Sequence, residues 1–221
     1  MSGRLVVVTG TGTGIGKTRL AEALLLAMGK KGLRAAGIKP VESGVDGSET
    51  DADRLRAASS FHVKHRGLRL AAPISPHLAA RREGVAVDLD GLAREARACL
   101  ADVDFLVLEL PGGLFTPLTD DTLNADWARR LSPDTVLLVA PDRLGVLHET
   151  LATVRAAVAL GLRVDTIVLV APEHADASTG NNAPELRRFL PTRVAGTVAR
   201  GALDELARDP VVAATVATLL R

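Results

Sequence analysis

Leu5-Val6-Val7-Val8-Thr9-Gly10-Thr11-Gly12-Thr13-Gly14-Ile15-Gly16-Lys17-Thr18 sets an apolar, β-branched run, a glycine-rich turn and Gly-Lys-Thr in direct succession. The run Leu5–Val8 reads as a buried strand and Arg19 to Lys30 as an amphipathic helix. A glycine-rich loop between strand and helix is the setting of a phosphate-binding loop. Glycines let the backbone approach the phosphates without Cβ clashes, and the N–H groups of the loop and of the helix N-terminus then face the anion. Lys17 reads as the contact to the β- and γ-phosphates, and the Thr18 hydroxyl as one Mg²⁺ ligand. Five residues separate Gly10 from Gly16, one more than the usual pattern allows.

Outward from this loop, apolar strand-like runs alternate with helical periodicity to the end of the chain. The helix after the loop closes at Lys30-Lys31-Gly32, and a second strand, Arg34 to Lys39, stops at Pro40. Val41-Glu42-Ser43-Gly44 and a polar loop lead to a helix over 51–58, and 59–76 reads as irregular. Helices are expected over 77–83 and 89–101, then a strand over 103–110 with Glu109 at its C-terminal end. Beyond Pro111-Gly112-Gly113 come a helix carrying Trp127, a strand at 135–140, a helix at 146–160 and a strand at 164–170. A short helix begins at Glu185, a last strand covers 193–198, and the C-terminal run is helical. Continuously apolar strands alternating with helices indicate a doubly wound, mostly parallel α/β sheet with helices on both faces. One domain over 1–221 is expected. Ligands of such sheets bind beyond the carboxyl ends of the strands. The loop at 10–18, Lys39 and Glu109 all fall there and should meet in one crevice.

Charge balance excludes several classes. There are 27 Lys and Arg against 26 Asp and Glu, with no basic stripe to suggest nucleic acid. The apolar runs fall short of the ~20 residues that span a bilayer. The first strand starts so early that no room for a signal peptide is expected. A single cysteine, Cys99, rules out an intrachain disulfide framework; its helical apolar pattern marks a packed thiol, and the chain reads as cytoplasmic. No Cys/His cluster suggests zinc. Asp51 and Glu109 are the candidate Mg²⁺ carboxylates, since nucleotide-bound Mg²⁺ takes one or two. The competing readings are Asp51 as a plain helix cap, Ser75 as a helix-entry cap and Lys39 as a solvated lysine.

Five blocks carry a resemblance to a known family: Gly-Thr-Gly-Thr-Gly-Ile-Gly-Lys-Thr at 10–18, Gly-Ile-Lys-Pro-Val-Glu-Ser-Gly at 37–44, Thr-Asp-Ala at 50–52, Pro-Ile-Ser-Pro-His at 73–77 and Gly-Gly-Leu-Phe-Thr-Pro-Leu at 112–118. In this order and spacing they resemble dethiobiotin synthetase, whose phosphate loop is of the long kind. The resemblance implies a P-loop NTPase-like fold, ATP as co-substrate with Mg²⁺, and a homodimer. The implied reaction turns 7,8-diaminopelargonate and CO₂ into a cyclic urea through a carbamate and a carbamic-phosphoric mixed anhydride. It implies Lys39 and Lys17 as catalytic cations and Thr18, Asp51 and Glu109 as the Mg²⁺ set. Gly14, Ile15, Gly16, Lys17, Thr18, Arg19, Asp51, Glu109 and Gly112 would bind the nucleotide. Thr13, Ser43 and Lys39 would bind the carbamate end of the substrate, and Leu144, Gly145 and Leu147 its carboxylate tail across the dimer interface.

The chain departs from that pattern in three places. Leu110-Pro111 stands where the family has two small residues, His148-Glu149 where it has Asn-His, and Pro172-Glu173 where it has the Asn-Asp that reads adenine. Two alternatives follow: a ligase of the same mechanism acting on another diamine, and a partitioning-type ATPase switch. The switch proteins carry an extra lysine early in the phosphate loop, and none lies between Gly10 and Lys17. An amide-forming relative would need a glutaminase domain with a nucleophilic cysteine, which this chain lacks.

Overall fold

The computed structural model describes residues 3–221. In chain order the first half runs β1 (Arg4–Gly10), α1 (Lys17–Gly29), β2 (Ala35–Ile38), β3 (Val41–Ser43), α2 (Asp51–Ala58), β4 (Leu68–Leu70), α3 (Pro76–Glu83), α4 (Leu89–Cys99) and β5 (Phe105–Glu109). The second half runs α5 (Asn124–Leu131), β6 (Thr135–Pro141), α6 (Val146–Ala159), β7 (Thr166–Val170), α7 (Asn182–Phe189), β8 (Arg193–Val198), α8 (Leu203–Leu206) and α9 (Pro210–Leu219).

Six strands form one sheet in the order β2-β5-β1-β6-β7-β8, and every pairing in it is parallel. Strand direction alternates side chains between faces, so each strand feeds two cores. Leu5 and Val7 of β1, Leu106 and Leu108 of β5 and Leu138 and Ala140 of β6 pack into one core with α4, α5, α6 and α7. Val6 and Val8, Phe105 and Val107, and Leu137 and Val139 pack into the other with α1, α2, α8 and α9. Burial on both faces explains why the central strands read as unbroken apolar runs rather than alternating ones. The connection from β1 runs past β5 to β2, and the connection from β5 crosses β1 to β6 on the other side. The crevice over the carboxyl end of β1 therefore lies at the reversal point of the strand order.

The irregular stretch expected at 59–76 contains a strand. β4 pairs in parallel with β3, setting Val41 beside Leu68, Glu42 beside Arg69 and Ser43 beside Leu70. Strands this short and this far apart in sequence lack a periodic signal, because pairing rather than pattern defines them. Smaller differences fall at element ends: the strands expected from 103 and 164 begin at Phe105 and Thr166, and α7 begins at Asn182. The C-terminal helical run is two helices, with Asp209 capping the second through the Val211 N–H. Cys99 is buried, as expected, and burial, with nearby Asp102 and Glu95, holds its thiol above the usual range. Among the described residues no helix is long and apolar enough to cross a membrane.

Candidate active site

The loop at 10–18 bends through two left-handed glycines, Gly14 at φ 70° and Gly16 at φ 94°. A Cβ on Gly16 would lie 3.0 Å from a methyl of Val170, so this position needs glycine for its backbone angle and for close approach to β7. Gly16 caps α1 without a side chain, and the first turn carries no acidic residue. The N–H groups of that turn and the positive end of the helix are left for an anion. Lys17 folds back over the loop, its ammonium donating to the Gly12 carbonyl at 2.8 Å. Burial, only partly offset by Glu109 and Asp51, lowers its pKa from 10.5 to about 8.

The carboxyl ends of β5 and β2 and the start of α2 converge beside it. Glu109 at the end of β5 is fully buried. Its Oε1 accepts from Thr18 Oγ1 at 3.0 Å and from Lys39 Nζ at 2.8 Å. Lys39, just past β2, also donates to Asp51 Oδ2 at 2.5 Å, so it is a buried, twice-paired cation rather than a solvated one. Burial alone would lower the Lys39 pKa, but the facing Glu109 and Asp51 carboxylates outweigh it and hold the ammonium above its usual value. Burial pushes the Glu109 carboxyl up, against the pull of Lys39 and Lys17. Asp51 resists its own partial burial through Lys39 and lies below the usual carboxylate range.

Asp51 is not the cap of its helix. Thr50 is, in a reciprocal box with Asp53: Thr50 Oγ1 accepts from the Asp53 N–H at 3.1 Å, and Asp53 Oδ2 accepts from the Thr50 N–H at 3.1 Å. That arrangement frees the Asp51 carboxylate to face Lys39. Ser75 sits at the helix entry without capping it; its hydroxyl is 3.0 Å from His77 Nδ1.

Thr18, Asp51 and Glu109 present hard oxygens on one side of the phosphate loop, the ligand type that Mg²⁺ takes. Glu109 Oε2 is buried with no hydrogen-bond partner among the described residues, a costly state that a bound cation would relieve. Among those residues no cluster of three His, Cys, Asp or Glu side chains could hold a metal unaided. An ion here would have to share its shell with Thr18 and with phosphate oxygens.

Three cavities adjoin along this crevice. The central one, about 280 Å³, is lined by Gly14 to Arg19, Lys39, Asp51, Glu109 and Gly112. Through Thr13, Lys39, Asp51 and Gly112 it shares walls with a cavity of about 690 Å³ that also takes in Ser43, Pro73 to Pro76 and Gly113 to Pro117. Through Gly14, Ile15, Gly16 and Arg19 it shares walls with a third, of about 600 Å³, that reaches Pro172, Glu173, Ala199 and Leu206. Leu144, Gly145 and Leu147 line none of the three. Leu144 is 75% exposed, and its N–H donates to Asp176 Oδ2 at 2.8 Å. Glu149, at the start of α6, pairs with Arg143 at 2.9 Å.

Several residues that sequence reading did not single out hold these groups in place. Arg54 makes two bonds to the buried Glu22, at 3.1 and 2.6 Å, pinning α2 to α1. Asn124 donates to the carbonyls of Pro111 and Gly113 at 2.6 and 2.8 Å, fixing the turn after Glu109 around the Leu110-Pro111 departure. Glu42 and Arg69 face each other across the β3–β4 pair. Their pairings span separate elements and leave no local signal.

Fold and site together define an α/β P-loop nucleotide-binding protein with a substrate-sized cavity beyond the phosphate loop. A family model described as an AAA domain matches residues 4–203. The ATP-dependent dethiobiotin synthetase BioD of Rhodopirellula baltica is 40% identical over 84% of this chain and 80% of its own length. The enzymes of the same name from Anaeromyxobacter dehalogenans (strain 2CP-C) and Ralstonia nicotianae are 42% and 36% identical, over 84% and 87% of this chain and 85% and 87% of their own. The chain belongs to the ATP-dependent dethiobiotin synthetase family. Among solved structures, the cell division ATPase MinD of Pyrococcus furiosus superimposes with TM-score 0.62 at 18% identity, covering 99% of this chain and 100% of that one. The MinC:MinD complex of Aquifex aeolicus gives 0.60 at 14% identity, over 98% and 96%. At these identities the likeness is one of fold.

Proposed function

We propose that the protein closes the ureido ring of dethiobiotin from 7,8-diaminopelargonate and CO₂, converting ATP to ADP and phosphate. The observation that carries the reading is the Lys39 ammonium. It is buried on the wall shared by the phosphate-loop cavity and the larger cavity beside it, where a phosphoryl acceptor would meet the γ-phosphate.

CO₂ adds to one amine of the substrate to give a carbamate, held by Thr13 and Ser43. The carbamate oxygen attacks the γ-phosphorus, the bond to the β,γ-bridging oxygen breaks, and ADP leaves. The second amine attacks the mixed anhydride carbon, the urea closes, and phosphate departs. Phosphoryl transfer of this kind depends on positioning and charge neutralisation. The N–H groups of Gly14 to Thr18 and the Lys17 ammonium hold the β- and γ-phosphates, with Ile15, Arg19 and Gly112 completing the wall. Lys39 neutralises charge on the transferring group and on the anhydride. Thr18, Asp51 and Glu109 would hold Mg²⁺, which when bound supplies further neutralisation of the phosphates. The third cavity takes the base. The substrate tail extends to Leu144, Gly145 and Leu147 of a second copy, in a cytoplasmic homodimer. Glu149, paired with Arg143, then brings no free negative charge to that carboxylate.

The test is phosphate release from Mg²⁺-ATP and bicarbonate, with and without 7,8-diaminopelargonate, read together with product mass. Diamine-dependent release with a product of dethiobiotin mass is expected. Slow release indifferent to this diamine but stimulated by another would reassign the substrate and keep the mechanism.

A further inference from the structure

Both ends of Lys39 are held by one closed circuit of contacts, built from residues outside the phosphate loop. The Lys39 carbonyl accepts from Arg69 Nη1 at 3.0 Å. Arg69 Nε lies 3.6 Å from Glu42 Oε2. Glu42 is 7% exposed, and its carboxylate accepts the N–H of Asp51 at 2.7 Å and that of Ala52 at 3.3 Å, the first two of α2. The Asp51 carboxylate then returns to the Lys39 ammonium. The circuit thus passes from the backbone of Lys39 through Arg69, Glu42 and Asp51 to its side chain.

The short sheet holds one link of this circuit in register. β3 and β4 set Glu42 directly beside Arg69, and the Leu68 N–H donates to the Pro40 carbonyl at 2.7 Å. Gly67, at φ 65°, lets the chain turn where a Cβ would lie 2.6 Å from Arg69 Nη1 and 2.9 Å from the Pro40 carbonyl oxygen. Thr50 and Asp53 already cap α2. The Thr50 hydroxyl takes only the Asp53 N–H; the buried Glu42 carboxylate takes the Asp51 and Ala52 N–H groups that remain, and Asp51 is the residue of that turn which faces Lys39.

We propose that Glu42 and Arg69 are positioning residues that fix Asp51 and Lys39 relative to each other, and so set how the site takes a divalent cation with its nucleotide. The proposal deepens the functional reading above and rests on it. Groups that orient a metal's ligands typically account for 10- to 100-fold in metal affinity or activity when removed. Two consequences follow from the circuit. Loss of the Glu42 carboxylate frees the Asp51 and Ala52 N–H groups and loosens the hold on Asp51 beside Lys39. Glu42→Gln keeps one oxygen for that N–H and retains most of the positioning.

The experiment measures ATP binding by calorimetry as a function of Mg²⁺ concentration, alongside kcat and KM, for wild type, Glu42→Ala, Glu42→Gln and Arg69→Met. For Glu42→Ala the Mg²⁺ midpoint of ATP binding should rise about tenfold and kcat should fall by a similar factor. Metal-free ATP binding should stay within about twofold. Glu42→Gln should recover to within about threefold of wild type, and Arg69→Met should fall between the two. A Glu42→Ala protein with a wild-type Mg²⁺ midpoint overturns the proposal, even if its melting temperature drops. Should Glu42→Ala fail to fold, Arg69→Met with an unshifted midpoint overturns it equally. A wild-type enzyme with no diamine-dependent turnover but a shifted Glu42→Ala midpoint sinks the functional reading and leaves the circuit standing.

Discussion

Two lysines of nearly opposite character stand within one crevice. Lys39 is paired twice and held charged; Lys17 is buried against a carbonyl and titrates at about 8. Removing the Lys39 ammonium leaves Glu109 and Asp51 facing each other without their cation, and takes away the group proposed to neutralise the transferring phosphoryl. Lys39→Ala should abolish turnover, by ~10²-fold or more as for other preorganised charges, with only a modest change in ATP affinity. Near-normal kcat would show that the role is misassigned. Lys17 sets a pH dependence of definite sign. Its pKa is about 8 in the ligand-free fold against 10.5 unfolded, so between those values the unfolded chain binds more protons. The stability of the ligand-free protein therefore gains from this group as pH rises through that window. Nucleotide binding runs the other way, because phosphates favour the ammonium. At pH 9 ATP binding should take up protons, and affinity should fall as pH climbs above about 8. Calorimetry in two buffers of different ionisation enthalpy reads the uptake; none at pH 9 would refute the assignment.

At the scale of elements, strand ends deliver the chemistry and loops adjust it. β5 carries Glu109 to the crevice, but the turn that follows holds its shape through Asn124 at the start of α5. That side chain is fully buried and bonded to two carbonyls of the turn. Asn124→Ala should cost about 1–3 kcal/mol, the penalty for stranding buried acceptors, measured as a lower urea midpoint at unchanged m. Gly112 lies between those two carbonyls and lines the phosphate cavity, so the same variant should bind ATP more weakly. Retained stability and retained affinity would mean that the Leu110-Pro111 turn holds itself. The phosphate-loop strand, its helix and the β5 carboxylate were legible in sequence, since each belongs to a local pattern. The β3–β4 pair was not: three-residue strands show no period, and their partners lie 27 positions apart, Val41 beside Leu68.

At the scale of the whole molecule, three cavities adjoin along the crevice, proposed above to take base, phosphates and substrate, and the expected tail-binding residues lie outside all of them. Leu144, three-quarters exposed just before α6, is proposed above to serve a second copy rather than its own chain. Leu144→Asp should raise the KM for the diamine about tenfold by placing a negative charge beside the substrate carboxylate, roughly 1.4 kcal/mol per tenfold. The ATP constant should hold, and sedimentation should find a dimer in the wild type. An unchanged diamine KM would move the tail elsewhere. What this sequence determined alone is the doubly wound sheet, the phosphate loop and the residues at its strand ends, because hydrophobic period and glycine spacing act over a few residues. Tertiary structure decided that Lys39 is a buried, doubly paired cation, that Thr50 rather than Asp51 caps α2, and that Glu42 and Arg69 close a circuit around them. Those outcomes depend on which charged groups are desolvated together, and desolvation is set only when distant segments pack.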